Sequence, residues 1–158
     1  MKAALRLRLL LPLSNERNAF PHLRCGCGVD LSLDPWHCLD CQFNHQLWVR
    51  RHTLVRNCVG GFLRGLGEYT VTPEVPVPGT NKRCDLLLIG PGGRRQYLDI
   101  SVMNTCGNIA MNAGSGREAL RARAMWKLHE YEGHNPEEGA VVPFTLAVTG
   151  LMEEETLS

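Results

Sequence analysis

Residues 83–102 read RCDLLLIGPGGRRQYLDISV, and this stretch predicts two neighbouring β-strands joined by a turn. The uninterrupted apolar run Leu86–Ile89 is typical of a strand that is covered on both faces. Glycine and proline at positions 90–93 predict the turn between the strands. In residues 97–102 every second side chain is aliphatic, so Asp99 should point to the face opposite those aliphatic side chains.

The segments on either side of this hairpin predict an α/β sandwich. A helix is expected over Gln46–Leu66, because apolar residues recur there at helical spacing and the run ends at a glycine. A bent or edge strand is expected over Tyr69–Val77, which two prolines interrupt. Downstream, a capping box that starts at Ser115 opens a helix through Tyr131, and Val141–Val148 is the last predicted strand. The order helix, three strands, helix and strand defines the α/β class.

The helix predicted for residues 46–66 is amphipathic, with a basic outer side. Its apolar stripe, drawn at helical spacing, consists of Trp48, His52, Val55, Val59 and Phe62. The basic residues on its other faces are Arg50, Arg51, Arg56 and Arg64. We interpret His52 as a core histidine of the apolar stripe.

Length and composition describe a globular chain with little net charge. The 158 residues carry 17 Lys+Arg and 16 Asp+Glu, so the formal net charge is +1. Bulk positive charge is therefore not expected to hold this chain on nucleic acid. No apolar run approaches the roughly 20 residues that span a bilayer, so no membrane segment is expected. We divide the chain into an N-terminal helix and linker (1–24), a Cys/His segment (25–45) and an α/β core (46–158).

Four of the seven cysteines crowd into the Cys/His segment, which predicts a structural zinc site in a reducing compartment. Structural zinc takes four thiolate or imidazole ligands, commonly supplied as two close pairs. The expected ligands are Cys25, Cys27, His37 and Cys41. Cys38 and His45 remain alternatives, because Cys38 also pairs with Cys41 at a Cys-x-x-Cys spacing and His45 lies one helical turn beyond Cys41.

Acidic residues in both strands of the central hairpin predict a second metal site. Asp85 heads one strand and Asp99 lies midway along the next, where an unpaired carboxylate would be costly. Two carboxylates from adjacent strands suit Mg²⁺, and Glu74 of the preceding strand is a candidate third ligand. Lys127 shares the inward stripe of the following helix with Leu120, so its cation should face the aspartates.

Several short motifs follow one another in a recognisable order along the chain. They are Cys25-x-Cys27-Gly, His37-x-x-x-Cys41, Arg51-His52, Arg83-Cys84-Asp85, Leu98-Asp99-Ile100-Ser101-Val102 and Lys127-x-x-x-Tyr131. This series resembles the restriction-endonuclease-like domain of site-specific non-LTR (LINE-type) retrotransposon proteins. That domain is a PD-(D/E)XK nuclease fold preceded by a CCHC zinc knuckle, and the resemblance covers residues 20–150.

The resemblance implies a Mg²⁺- or Mn²⁺-dependent endonuclease that nicks target DNA, from which reverse transcription is primed. By position, Asp85 is the first motif aspartate, with Cys84 where proline is usual, and Asp99 is the acidic residue of the second motif. Ser101 occupies the slot of the motif lysine, whose role the resemblance transfers to Lys127 on the following helix. The four zinc ligands named above match the knuckle.

The implied partner is DNA, together with a reverse transcriptase module or RNA, and the implied location is intracellular and nuclear. Contacts to the DNA backbone are expected from basic residues on the two longer helices and beside Asp85. These residues are Arg50, Arg51, Arg56, Lys82, Arg83 and Arg121. The alternative function is a catalytically weak or inactive DNA-binding module of the same fold, which Cys84 and Ser101 favour because they replace motif residues.

Overall fold

The computed structural model describes residues 24–31, 33–34, 36–105, 114–148, 150 and 152. The helix expected within residues 1–24 therefore lies outside the described residues, of which only Arg24 belongs to that segment. The helices are α1 (His37–Asp40), α2 (His45–Gly65) and α3 (Gly116–Glu130). The strands are β1 (Thr70–Pro76), β2 (Arg83–Ile89), β3 (Arg95–Met103) and β4 (Ala140–Ala147). This order confirms the predicted α/β class.

Across the described ranges the four strands form one mixed sheet in the order β1-β2-β3-β4. β1, β2 and β3 are antiparallel neighbours, whereas β4 runs parallel to β3. A parallel neighbour needs a crossover connection, and α3 lies in that connection. In the β2–β3 turn Gly92 has a φ of 73°, a left-handed conformation that glycine adopts without a steric penalty.

The two faces of β3 carry the alternation that the sequence predicts. Leu98 and Ile100 are buried on the face that packs against α2, together with Leu86 of β2. Tyr97 is buried on the opposite face, where it joins the core that contains Tyr131 at the end of α3. Because side chains alternate along a strand, Asp99 shares the face of Tyr97 and is directed toward α3.

The alternation breaks in β1 and β2 at one shared position. In β1, Val71 packs in the core on the α2 side, whereas Val75 packs in the core on the α3 side despite its even spacing. The break lies at Glu74, whose φ of 55° is in the left-handed region that residues with a side chain rarely adopt. The pairs on either side of Glu74 in the β1–β2 register place it opposite Asp85. Asp85 is therefore not confined to either face of the sheet.

The described part of α2 buries a different stripe from the one drawn on the sequence. Val55, Val59 and Leu63 pack against the sheet. Phe62, which we predicted to be in the core, is 68% exposed, so that prediction is wrong. Residues 62 and 63 both continue the 3.6-residue period within its tolerance, and only the contact with the sheet distinguishes them.

The start of α3 follows the prediction from the capping box. The backbone N–H of Glu118 donates to Ser115 Oγ over 3.2 Å, which satisfies one of the unpaired amides of the first turn. α3 then presents Ala119, Leu120 and Ala124 to the interior. Among the described helices, none has the length and apolar character needed to cross a membrane.

We expect Leu63→Ala to lower the free energy of unfolding by about 1–2 kcal/mol, because it removes part of a side chain that packs on the sheet. Phe62→Ala is the matched control and should change that free energy by no more than about 0.5 kcal/mol, because its ring lies in solvent. Urea unfolding of the two variants measures both values. A larger loss for Phe62→Ala than for Leu63→Ala would contradict the packing of α2.

Candidate functional site

Three cysteines and one histidine near the start of the described chain form a cluster that can hold a zinc ion. The ligand atoms of Cys25, Cys27, His37 and Cys41 all lie within 4.8 Å of one another. A tetrahedral zinc ion with Zn–S bonds of about 2.3 Å places its ligand atoms about 3.8 Å apart, so the cluster has the required size. Cys27 Sγ lies 2.9 Å from His37 Nε2, so these two ligand atoms are in direct contact.

Two short turns bring the ligand pairs together. The amide of Cys25 donates to the carbonyl of Val29, and the amide of Gly28 donates to the carbonyl of Cys25, both over 2.8 Å. In α1 the amide of Cys41 donates to the carbonyl of His37 over 2.9 Å, which sets these two ligands one helical turn apart. The predicted pairing of ligands thus has a local structural cause in each half of the cluster.

The two alternative ligands lie outside the four-residue cluster of the described chain. Cys38 and His45 are not members of it. Burial raises the pKa of the Cys38 thiol, and the charge of Cys25 adds to this rise. Asn44 donates its side-chain amide to the Cys38 carbonyl over 3.3 Å and to Cys25 Sγ over 3.6 Å, which ties the start of α2 to the cluster.

A cleft of about 860 Å³ opens between the Cys/His segment, α2, the ends of β2 and β3, and α3. Several ionisable side chains line it, and they are contributed by every one of these elements. They are Asp40, Arg51, His52, Arg83, Asp85, Asp99, Arg123 and Lys127. Three of the residues that we predicted as catalytic from sequence, namely Asp85, Asp99 and Lys127, thus line one cleft.

Asp99 lies at the floor of the cleft and is only 4% exposed. Its Oδ2 is 3.0 Å from Lys127 Nζ, and it accepts a hydrogen bond from the Tyr131 hydroxyl over 2.8 Å. Burial raises the pKa of Asp99, and the cation of Lys127 opposes this rise. Lys127 therefore reaches the aspartate as its stripe on α3 predicts.

Asp85 is held from two directions. Its Oδ1 lies 2.7 Å from His52 Nε2 of α2, and its Oδ2 accepts the backbone N–H of Ile100 over 2.7 Å. Burial opposes ionisation, but the hydrogen bonds from His52 and Ile100 outweigh it and lower the pKa of Asp85. The hydrogen bond with Asp85 in turn raises the pKa of His52. Asp85 is thus a fixed, ionised carboxylate.

Ser101, which the resemblance aligns with a motif lysine, lies beside an arginine of α3. Ser101 is buried, and the alternation of β3 puts it on the face of Asp99. Arg123 Nε of α3 donates to Ser101 Oγ over 3.4 Å. The guanidinium carbon of Arg123 lies 4.1 Å from the ring centre of Trp126.

Glu74 is placed differently from the other predicted catalytic residues. Its carboxylate pairs with Arg56 of α2, and neither residue lines the cleft. The left-handed conformation at Glu74 puts the break in β1 at this residue. The structure therefore brings Glu74 to a basic residue and does not bring it into the cleft with Asp85 and Asp99.

Two of the six basic residues that we predicted as DNA contacts line the cleft, and the other four do not. Arg51 and Arg83 line the cleft. Lys82 lies 2.9 Å from Glu130, whose other oxygen is 3.5 Å from Lys127 Nζ. The remaining members are exposed on the helices, apart from Arg56, which pairs with Glu74. They are Arg50 on α2 and Arg121 on α3.

The Cys/His segment forms one wall of the cleft. Asn104, at the end of β3, donates its side-chain amide to Asp40 Oδ2 over 2.8 Å and lies 3.3 Å from the carbonyl of Trp36. Arg51 Nη2 donates to the carbonyl of Val102 over 3.4 Å and thereby ties α2 to the same end of β3. The Cys/His segment and the α/β core are therefore joined at the cleft.

Sequence reasoning missed the roles of two residues of this site, His52 and Asn104. The side chain of His52 is 35% exposed and binds Asp85, so its interpretation as a core histidine is wrong. The Arg51-His52 motif was the one feature of the sequence that indicated a role for His52 in the site. The sequence also predicts Arg123 on the basic surface that contacts DNA, and its position four residues before Lys127 puts it on the same helix face. No pattern in the sequence indicated a role for Asn104.

Comparison of the chain with protein-family models and with curated proteins finds no match. The structure itself shows, within its described residues, an α/β domain with a four-stranded mixed sheet and a Cys₃His cluster that can hold a metal ion.

We expect the purified protein to carry one zinc ion per chain, bound by the Cys₃His cluster. Cys27→Ser and His37→Ala should lose this zinc on dialysis, because each removes a ligand. Cys38→Ser is the matched control, since Cys38 lies in the same segment but outside the cluster, and it should keep the zinc. Elemental analysis gives the zinc content. Loss of zinc in Cys38→Ser with retention in Cys27→Ser would show that the ligand set is different.

We expect Lys127→Met to lower the free energy of unfolding by about 3–5 kcal/mol at pH 8, because it leaves the buried Asp99 carboxylate without its cation. Removing the cation raises the folded-state pKa of Asp99 further, while the unfolded value stays at about 3.9. Between these two pKa values the folded state binds more protons than the unfolded state, so stability falls as pH rises. The loss should consequently be smaller at pH 5 than at pH 8.

Urea unfolding of the zinc-loaded variant at the two pH values measures this difference. Lys82→Met provides the control, because Lys82 is a 44% exposed partner of Glu130 and its loss should cost less than about 1 kcal/mol. A loss in Lys127→Met that grows toward acid pH would contradict the pairing of Lys127 with an ionised Asp99.

Proposed function

We propose that this chain is a Mg²⁺- or Mn²⁺-dependent endonuclease domain of the restriction-endonuclease-like type, which nicks DNA as its retrotransposon-type resemblance implies. The observation that carries the proposal is the convergence of Asp85 from β2, Asp99 from β3 and Lys127 from α3 at one cleft. The PD-(D/E)XK fold places its metal-binding carboxylates on two adjacent strands of an α/β sheet. Asp85 and Asp99 have that arrangement, because β2 and β3 are direct neighbours.

The donor set of the cleft fits a hard divalent cation. Asp85 and Asp99 supply carboxylate oxygens, and Mg²⁺ in nucleotide-processing sites takes one or two carboxylates together with waters and phosphate oxygens. The charge of Asp85 also raises the pKa of Asp99, so Asp85 opposes the ionisation of its neighbour. A bound dication favours the ionised form of both. Glu74 is left out of the proposed centre because it pairs with Arg56 outside the cleft.

Each residue of the cleft then has a distinct part in phosphodiester hydrolysis. The cation, when bound by Asp85 and Asp99, supplies polarisation of the phosphate and a lowered pKa of a bound water. Lys127, held 3.0 Å from Asp99, contributes positive charge where the negative charge of the phosphate increases. His52 and the Ile100 amide keep Asp85 ionised and fixed in orientation.

DNA is the proposed substrate, and basic residues at the cleft supply its backbone contacts. Arg51 and Arg83 line the cleft, and Arg50 and Arg121 extend the basic surface along α2 and α3. A net charge of +1 leaves the affinity for DNA modest, so we propose that a reverse transcriptase module or its RNA assists target binding in the nucleus. The zinc-binding segment supports the site by forming one of its walls.

A DNA-binding module without cleavage is the second candidate function. It is favoured by Ser101 at the motif lysine position and by Lys127, whose Nζ contacts both Asp99 and Glu130. Such contacts reduce the positive charge available to a phosphate. In this reading the same cleft binds DNA, and no bond is broken.

The two candidates differ in a nicking assay with the zinc-loaded protein, supercoiled and branched DNA, and Mg²⁺ or Mn²⁺. We expect metal-dependent nicking that falls at least about 100-fold in Asp85→Asn and in Asp99→Asn, because each loses a charged metal ligand. Glu138→Gln removes an exposed carboxylate that does not line the cleft and should retain full activity. Nicking that persists in both aspartate variants would refute the nuclease. DNA binding without nicking in the wild-type protein would favour the binding module.

A further inference from the structure

Arg123 differs from the other well-placed cation of α3 in what it contacts. Lys127 Nζ lies 3.0 Å from Asp99 and 3.5 Å from Glu130. Arg123 lines the same cleft one helical turn earlier, yet no carboxylate of the described residues forms an ion pair with it. Its contacts there are Ser101 Oγ, 3.4 Å from its Nε, and the ring of Trp126. The charge of Arg123 thus remains available at the cleft.

We propose that Arg123 binds a backbone phosphate of the nucleic acid in the cleft, with Ser101 and Trp126 as its positioning residues. The proposal rests on the proposed function and specifies how that site holds its substrate. A guanidinium presents two parallel N–H donors to a phosphate, which a lysine ammonium does not. Lys127 already contacts two carboxylates, so Arg123 adds a cation to the cleft that no carboxylate of the described residues neutralises.

Ser101 explains why an arginine fits here. A lysine at position 101 would extend toward α3 on the face of Asp99 and would place a second cation against Arg123. The short hydroxyl side chain leaves this space to Arg123 and accepts a hydrogen bond from its Nε. Ser101, which departs from the nuclease motif, therefore provides both the space and the hydrogen-bond acceptor for Arg123.

The position of Ser101 also locates the bound phosphate. Ser101 lies two residues beyond Asp99 along β3, a distance of about 7 Å at the usual rise per residue. A phosphate held by Arg123 is therefore displaced along the strand from a phosphate held above Asp99. We assign Arg123 to the neighbouring phosphate, where it fixes the register of the DNA strand and does not itself act on the reacting bond.

Trp126 restricts the guanidinium before the substrate arrives. The indole is 45% exposed, and the guanidinium carbon lies 4.1 Å from its ring centre. A cation over an aromatic face is attracted to it and loses rotational freedom. Less side-chain entropy is then lost when the phosphate binds, which favours tighter binding.

The test measures DNA binding by the zinc-loaded protein without added Mg²⁺ or Mn²⁺. A fluorescently labelled DNA duplex is the probe, and anisotropy is read at a series of KCl concentrations. Arg123→Ala should weaken binding about 10-fold and reduce the slope of log Kd against log salt by about 1, as expected for one lost phosphate contact. Arg123→Lys should keep most of the slope but bind less tightly, because the two-donor geometry is lost.

Two further variants control for charge and for folding. Arg94→Ala removes an exposed arginine from the β2–β3 turn, which does not line the cleft, and it should leave the salt slope unchanged. Trp126→Leu should weaken binding about 3-fold in the wild-type background and not at all in Arg123→Ala, because Trp126 acts through Arg123. Thermal unfolding of each variant checks that it remains folded.

An unchanged salt slope in folded Arg123→Ala would overturn the proposal, and so would an equal fall in Arg94→Ala. Absence of DNA binding by the wild-type protein at low salt would overturn both this proposal and the proposed function. Because no divalent cation is added, binding through Arg123 is measured whether or not the chain cleaves DNA. The nicking assay therefore tests the nuclease proposal, and the salt dependence of DNA binding tests the role of Arg123.

Discussion

The pairing of the buried Asp99 with α3 is the interaction on which the rest of the structure depends. A carboxylate in the central strand of a sheet is stable only with a cation or hydrogen-bond donors close by, and Lys127 and Tyr131 supply both. Tyr131 also belongs to the apolar core beneath α3 that contains Tyr97. The same contacts that dock α3 on the sheet therefore place a lysine beside the carboxylate, so stability and the proposed chemistry share their residues.

Two further features complete the cleft around Asp99, an irregularity in two strands and a side-chain hydrogen bond. The break in β1 and β2 at Glu74 frees Asp85 from the regular alternation, and Asp85 then meets both His52 of α2 and the backbone of β3. Asn104 at the end of β3 fixes the Cys/His segment as one wall. This wall belongs to a segment that is too short to bury a core of its own, so its shape depends on the Cys₃His cluster. We therefore expect zinc binding at the cluster to stabilise the geometry of the cleft.

Local patterns in the sequence predicted the parts of this arrangement that local forces determine. The alternation in β3, the capping box at Ser115 and the paired zinc ligands each depend on residues a few positions apart, and each agrees with the structure. Contacts between distant segments were not predictable in this way. His52 and Asp85 are 33 residues apart, and Asn104 and Asp40 are 64 apart. Phe62 was misassigned because the helical period allows either Phe62 or Leu63 to face the sheet.

The central claim is that Asp85 and Asp99 form a divalent-metal site next to Lys127. Its most direct test is a crystal of the zinc-loaded protein soaked in Mn²⁺, with anomalous diffraction recorded on both sides of the manganese absorption edge. We expect a manganese peak bonded to carboxylate oxygens of Asp85 and Asp99, while the zinc peak at the Cys₃His cluster serves as the internal reference. A clear zinc peak with no manganese between the two aspartates, which keep their contacts with His52 and Lys127, would contradict the claim.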